Sequence, residues 1–397
     1  MMFLEFFIWG GWFVTLGTFL GNHLNAADGE IAQAFSTQSW GAIVAPFIIG
    51  LIADRFFNAE RILGVLHIIG AGLMYMMSQT TDFSTFYPYV LGYMIAYMPT
   101  LALVNSVAFN QMKDPSKDFP FIRVWGTLGW ILAGLLISFL AWDSETSVAE
   151  GLLSNTFLMV AIASGVLGVF SFILPKTPPK ANKDEKITIG DIIGLDALKL
   201  LKDRNFLVFF ISSVLICIPL AFYYQNLSPF LTESKVEGST AWAALGQVSE
   251  VVLMLLLPFF FKKFGFKKTI LVGMLAWALR YLLFAYGNAG DMFFMIVVGI
   301  ALHGICYDFF FVSGQIYTDS KAGEKFKSAA QGLITLATYG VGMLIGFWVA
   351  GEISNSHLLE GGGHDWQSVW VFPAIFAAGV MVLFALFFKN ETIEYKE

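Results

Sequence analysis

Glu250 sits in the middle of an apolar run. From Ala241 to Phe261 the polar side chains are Gln247, Ser249 and Glu250. A helix of about 20 such residues crosses a hydrocarbon core of about 30 Å. An ionised carboxylate near the midplane costs roughly 2.5–3.5 kcal/mol even on lenient scales. Glu250 therefore needs a polar cavity, a partner or a proton. Gln247, three residues earlier, shares its face.

Other apolar runs carry groups of the same kind. Arg123, Thr127 and Trp130 are spaced i, i+4 and i+7 and line one helix face, with Gly126 and Gly129 open to close helix contact. His303 and Tyr307 share another face, with Asp308 beside them, about 17 residues from the outer end of its run and so in the cytoplasmic half. Two carboxylates at different depths, a His and an Arg are the parts of a proton relay, because low dielectric makes a protonated carboxyl accessible near neutral pH. Arg280 is at a matching depth and offers the alternative of a structural ion pair with Glu250. Arg123 either lines a cavity or snorkels to the interface. Pro219 precedes Tyr223, Tyr224, Gln225 and Asn226, a bent polar-aromatic segment beside a cavity or an ordinary aromatic belt. Tyr93, Tyr97, Pro99, Thr100 and Asn105 form a second such segment. His67 reads as a satisfied structural histidine and His23 as interfacial. Aromatic faces with hydrogen-bonding neighbours suit a flat polar ring or a sugar.

No phosphate-cradling Gly loop, metal-ligand cluster or nucleophile–base arrangement is present, so no enzyme, cofactor or nucleic-acid partner is expected. Gly361, Gly362 and Gly363 read as a flexible outer loop. Cys217 and Cys306 both fall in apolar runs, which implies no disulfide framework.

These residues must be positioned by membrane-spanning helices. The chain is 57% hydrophobic, 16% aromatic and 13% charged, where soluble domains carry about 25% charge. Forty-one Phe and eleven Trp suit lipid-facing and interfacial surfaces. Apolar runs lie near 2–23, 31–53, 61–79, 84–111, 119–141, 153–174, 205–231, 241–262, 267–287, 291–317, 327–350 and 367–388. This predicts an all-α membrane protein of twelve transmembrane helices in two six-helix bundles, residues 1–174 and 205–397. A cytoplasmic linker, 175–204, joins them. Its part from Ile187 to Leu201 is expected to form a short amphipathic surface helix. With both termini cytoplasmic, the Lys and Arg residues outside cytoplasmic segments are only Arg123, Arg280 and Lys235. That asymmetry is the positive-inside signature. The loop Gly50-Leu51-Ile52-Ala53-Asp54-Arg55 resembles the G-x-x-x-D-R signature of the major facilitator superfamily; Asp54 and Arg55 either gate by charge pairing or only anchor the loop. The basic loop Phe261–Lys268 is its degenerate echo.

The stretches FIWGGWFVTLGTF, AYMPTLALVNS, DFPFIRVWGTLGW, SEVVLMLLLPFFF, WALRYLLFAYG, YDFFFVSG, SAAQG and DWQSVW resemble the nucleoside:H⁺ symporter family of that superfamily over nearly the whole chain. The resemblance implies the major facilitator fold and proton-driven uptake by alternating access in a bacterial inner membrane, as a monomer. It implies solute contacts at Arg123, Thr127, Trp130, Gln247, Glu250 and Asp308, with Asp308 favoured over Glu250 as the proton site. Tyr224, Gln225, His303 and Tyr307 join the candidate contacts. There are departures: Ala221 and Tyr224 stand where nucleoside members offer Gln and Asn, His303 where a Tyr is expected, and Tyr307 where a Phe is expected. Nucleoside is the leading solute, a related sugar, glycoside or muropeptide-like solute the alternative. A drug/H⁺ antiporter and a non-transporting receptor are the rivals from further away.

Overall fold

The computed structural model describes residues 1–48, 57–112, 115–178 and 195–391, with side chains for all of these except 46–48, 115–120, 195–196 and 323–329. Asp54, Arg55 and most of the linker lie outside the described residues. Among the described residues the chain is helical, its one departure being an isolated antiparallel bridge between Leu358 and His364. Ten helices among the described residues are long and apolar enough to cross a membrane. Many of their large apolar side chains face outward, among them Phe121, Phe139, Leu255 and Ile375. Exposed apolar surface on that scale marks a lipid-contacting protein.

Local signals start and break the helices. Asp82, Asp203 and Asp365 stand just before Phe83–Gln111, Arg204–Glu233 and Trp366–Phe387, and each carboxylate accepts from the amide three residues on. This satisfies one of the amides that a helix start leaves unpaired. Gly265, with φ 75° and ψ 169°, interrupts Ser239–Tyr286 and makes it two helical limbs. A side chain would be strained there. The run expected at 2–23 is divided into Met2–Phe13 and Leu16–His23. The run expected at 291–317 passes from Phe293–Ala301 through His303–Tyr307 into a π-helical turn, Asp308–Val312.

The chain forms two compact units, Met1–Ile187 with Glu237–Ala244, and Thr188–Val236 with Leu245–Glu397. In the first, Trp12, Phe13, Phe19, Phe35, Phe86 and Phe157 are buried and pack mainly edge to face. In the second, Tyr281 stacks between Trp277 and Trp370, with Phe284 alongside. The phenylalanines thus fill both cores as well as facing lipid, since an aromatic ring fills volume with little rotamer entropy.

Of the surface helix expected at Ile187–Leu201, residues 187–194 lie outside the described residues; Leu195–Lys202 is a 3₁₀ helix whose Ala197 is buried against Ala322, Ala330 and Leu333. The triglycine loop is a pinned turn. Leu359 N donates to Gly363 O at 3.0 Å, and the Glu233 carboxylate accepts from His364 N at 3.0 Å and Trp366 Nε1 at 2.7 Å.

Candidate functional site

In the second unit, three helices meet at Arg280. Arg204–Glu233 carries Pro219 within it, whose carbonyl accepts from the Tyr281 hydroxyl. One residue past the following turn, Tyr223 presents its ring to the Arg280 guanidinium at 3.8 Å. Tyr223 also stacks on His303, centroids 5.1 Å apart and planes 21° apart. Arg280 Nε donates to Gly299 O at 3.2 Å, and Nη1 contacts His303 Nδ1 at 3.1 Å. On the far side of the imidazole, His303 Nε2 is 3.8 Å from Glu250 Oε2. His303 is interposed between Arg280 and Glu250. The direct ion pair offered by their matching depth gives way to an Arg–His–Glu row: Arg280 turns Nε to Gly299 O and Nη1 to His303, while Nη2 stays buried without a hydrogen-bond partner.

Close backbone approach brings Glu250 this near. A Cβ on Gly304 would lie 2.6 Å from Ser249 C and O and 2.7 Å from Glu250 N. Ser249 Oγ accepts from Gly304 N at 3.0 Å and donates to Gly246 O at 2.7 Å. Only a glycine allows this contact. Gln247 is half-buried, one turn before Glu250.

Asp308 is fully buried, and neither carboxylate oxygen has a hydrogen-bond partner. It opens the π-helical turn, a distortion that recurs at functional positions because it re-aims side chains. Glu250 is within electrostatic reach of it. Tyr307 OH lies 2.6 Å from Tyr339 OH, and Tyr339 belongs to a second π-helical segment, Leu336–Gly342. Tyr224 is half-buried; Gln225 is buried with its Oε1 unpartnered.

Arg123, Thr127 and Trp130 belong to the first unit. The Arg123 guanidinium stands 4.0 Å over the Phe6 ring, with Nη1 buried and unpartnered. Thr127 is buried, and Trp130 packs edge-on against Trp9 at 5.5 Å, which in turn meets Tyr97 at 5.8 Å.

Sequence reasoning passed over Tyr223 as one of a cluster, and Tyr339 altogether. It also passed over Glu5, which is fully buried with His67 Nε2 2.8 Å from its Oε2. His67 is satisfied, as expected, but by an ionisable partner. The signal that singled out Glu250, a carboxylate inside an apolar run, was present at Glu5 too. Among the described residues no group of His, Cys, Asp and Glu is placed to hold a metal, and both cysteines are free and buried.

Apolar helices long enough to span a membrane, with ionisable side chains buried among them, are the arrangement of a multi-pass membrane protein. A model of the family described as nucleoside H⁺ symporter matches residues 1–393, and the chain belongs to that family. It is 44% identical to the YegT protein of Escherichia coli K12, across 99% of this chain and 93% of that one. It is 32% identical to the xanthosine permease of the same organism, across 98% and 94%. A crystal structure of the nucleoside transporter NupG superposes with a TM-score of 0.86 at 28% identity, covering 98% of each chain.

Proposed function

We propose that the protein imports a nucleoside together with a proton across a bacterial inner membrane, working by alternating access as a monomer with both termini cytoplasmic. The twelve crossing helices of this reading follow if Ser239–Tyr286 counts as two limbs about Gly265 and Asp28–Ile48 is added to the apolar set. Family membership supports the solute class, as do relatives named as a xanthosine permease and a nucleoside permease.

The observation that carries the proton role is Asp308, a buried carboxyl with no hydrogen-bond donor on either oxygen. A buried ionised carboxylate without donors is costly, and protonation removes the charge. In the proposed cycle Asp308 takes a proton from outside, the nucleoside binds, access switches, and both leave inside. Glu250, held in front of His303, is a solute contact, since a carboxylate accepts from ribose hydroxyls or base N–H groups. Gln247, Tyr224, Gln225, His303 and Tyr307 supply further polar and aromatic contacts, and Arg123, Thr127 and Trp130 supply those from the first unit. Asp54 and Arg55 act as the gating pair.

The test uses purified protein in vesicles. Asp308→Asn is expected to retain solute exchange at equal pH and to lose accumulation driven by a pH gradient. Accumulation equal to the parent's would sink the assignment. A thermal-shift screen against nucleosides, sugars and amphipathic drugs checks the solute class; stabilisation by drugs alone would favour an antiporter.

A further inference from the structure

Glu5 anchors a polar network lying wholly within the first unit. Its side chain, on Met2–Phe13, is fully buried; His67 and Thr100 from two other helices touch it, Tyr97 meets its backbone carbonyl, and Ser164 from a third helix backs His67. His67, from Ala59–Ser78, places Nε2 2.8 Å from Glu5 Oε2. Thr100 Oγ1, from Phe83–Gln111, donates to Glu5 Oε1 at 2.6 Å and lies 2.5 Å from Tyr97 O. Tyr97 OH donates to the Glu5 carbonyl at 2.7 Å. Ser164, from Ser154–Ser171, lies 3.1 Å from His67 Nδ1 and donates to His67 O at 2.9 Å.

Counting hydrogens limits the states this network can adopt. Ser164 has one hydroxyl proton and gives it to the His67 carbonyl, so its oxygen accepts from His67 Nδ1–H. With Nδ1 protonated, the contact between Nε2 and Glu5 Oε2 requires one proton between them, as imidazolium–carboxylate or imidazole–carboxyl. In that state Thr100 donates to Glu5 Oε1. A further proton can be added without breaking any of these contacts. It sits on Glu5 Oε1 and donates to Thr100 Oγ1; Thr100 turns its own hydrogen to the Tyr97 carbonyl; His67 Nε2–H continues to donate to Oε2. Removing a proton instead leaves one ring hydrogen, which stays on Nε2 toward Glu5 only if Ser164 turns its hydroxyl from the His67 carbonyl to Nδ1, breaking one contact. The network is thus complete with one proton or with two, and the Thr100 hydroxyl is the switch between them.

The charged and titratable groups around the network are the Met1 amine on the Glu5 side, Tyr93 and Tyr97 on Phe83–Gln111, and Arg123, which reaches Tyr97 electrostatically. Ser164 is the polar contribution of Ser154–Ser171. Tyr93 OH is buried and unpartnered, its ring stacked on Tyr97 at 5.5 Å.

We propose that Glu5, His67 and Thr100 form a second proton-exchange site, separate from Asp308 and carried by the first unit alone. Its use in coupling rests on the symport reading above; its existence does not.

The experiment therefore reads protonation directly rather than transport. Full-length protein in lipid is titrated by infrared difference spectroscopy, following the C=O stretch of protonated carboxyls. The parent is expected to show a band that grows as pH falls, with one component lost in Glu5→Gln and retained in Asp308→Asn. Thr100→Val is expected to shift the frequency of that component, because it removes the hydroxyl that accepts from the protonated carboxyl, and Thr100→Ser to leave it in place. A band in Glu5→Gln identical to the parent's overturns the proposal. Should Glu5→Gln fail to fold, the Thr100 pair decides it: identical carboxyl bands in the Val and Ser variants overturn it, and different ones support it.

Discussion

Arg280 fixes the tautomer of His303. A guanidinium has only donors, so the contact at 3.1 Å makes His303 Nδ1 an acceptor and leaves the ring hydrogen on Nε2, the nitrogen facing Glu250. Three side chains from three segments of the second unit therefore act in order. Arg280 orients the imidazole, Tyr223 holds both by stacking, and the imidazole N–H is presented toward the carboxylate.

Arg280 is accordingly a positioning residue whose shape matters as much as its charge. Arg280→Met leaves the Gly299 carbonyl and His303 Nδ1 without a donor, a loss of roughly 1–3 kcal/mol per buried group. Arg280→Lys keeps the charge, but one ammonium cannot reproduce a fork that serves two acceptors. Both variants are expected to lower the uptake rate in proteoliposomes by at least about tenfold, which corresponds to about 1.4 kcal/mol. Parent-like uptake by the Lys variant would show that charge alone suffices.

Gly304 sets the distance between the Glu250 and His303 helices. Gly304→Ala puts a methyl against the Ser249 carbonyl and the Glu250 amide, where the obstruction is backbone and cannot rotate away. Overpacking of this kind costs about 1–3 kcal/mol. The variant should show a lower melting temperature and lose uptake. Gly332→Ala, with nothing within 4 Å of its Cβ, is the matched control. It should melt at or slightly above the parent temperature, since Ala favours the helix by up to about 1 kcal/mol.

A third prediction concerns the end of the second unit, where Asp203 accepts from Phe206 N at 2.9 Å and from Lys321 Nζ at 3.0 Å. Lys321 also pairs with Glu391, which accepts from Asn205 Nδ2 at 3.0 Å. Partial burial works against the charge on Asp203, but the Phe206 amide and Lys321 outweigh it and hold the carboxyl below the usual Asp range. A lowered folded value means that the stabilisation is present above the unfolded value and is lost as pH falls through the folded one. Parent stability should thus decline below about pH 4. Asp203→Asn should be less stable at neutral pH and show a smaller further loss on acidification. Parallel acid-unfolding curves for the two proteins would contradict this.

The membrane class, the helical content and most of the ionisable candidates were legible in the chain. Hydropathy is a local property, and a carboxylate inside an apolar run is conspicuous without knowing its neighbours. Asp82, Asp203 and Asp365 announce helix starts for the same reason, since a cap needs only the next three residues. What the sequence alone could not determine is the pairing. Glu5 and His67 are 62 positions apart, as are Tyr281 and Pro219. A span's apolarity sets its depth but not its rotation about its own axis. Depth alone matched Arg280 to Glu250; rotation and the Gly304 contact put His303 between them. The same tertiary freedom left Asp308 without a donor and gave His67 a carboxylate. Which buried charges are neutralised and which must exchange protons was decided by how the helices pack.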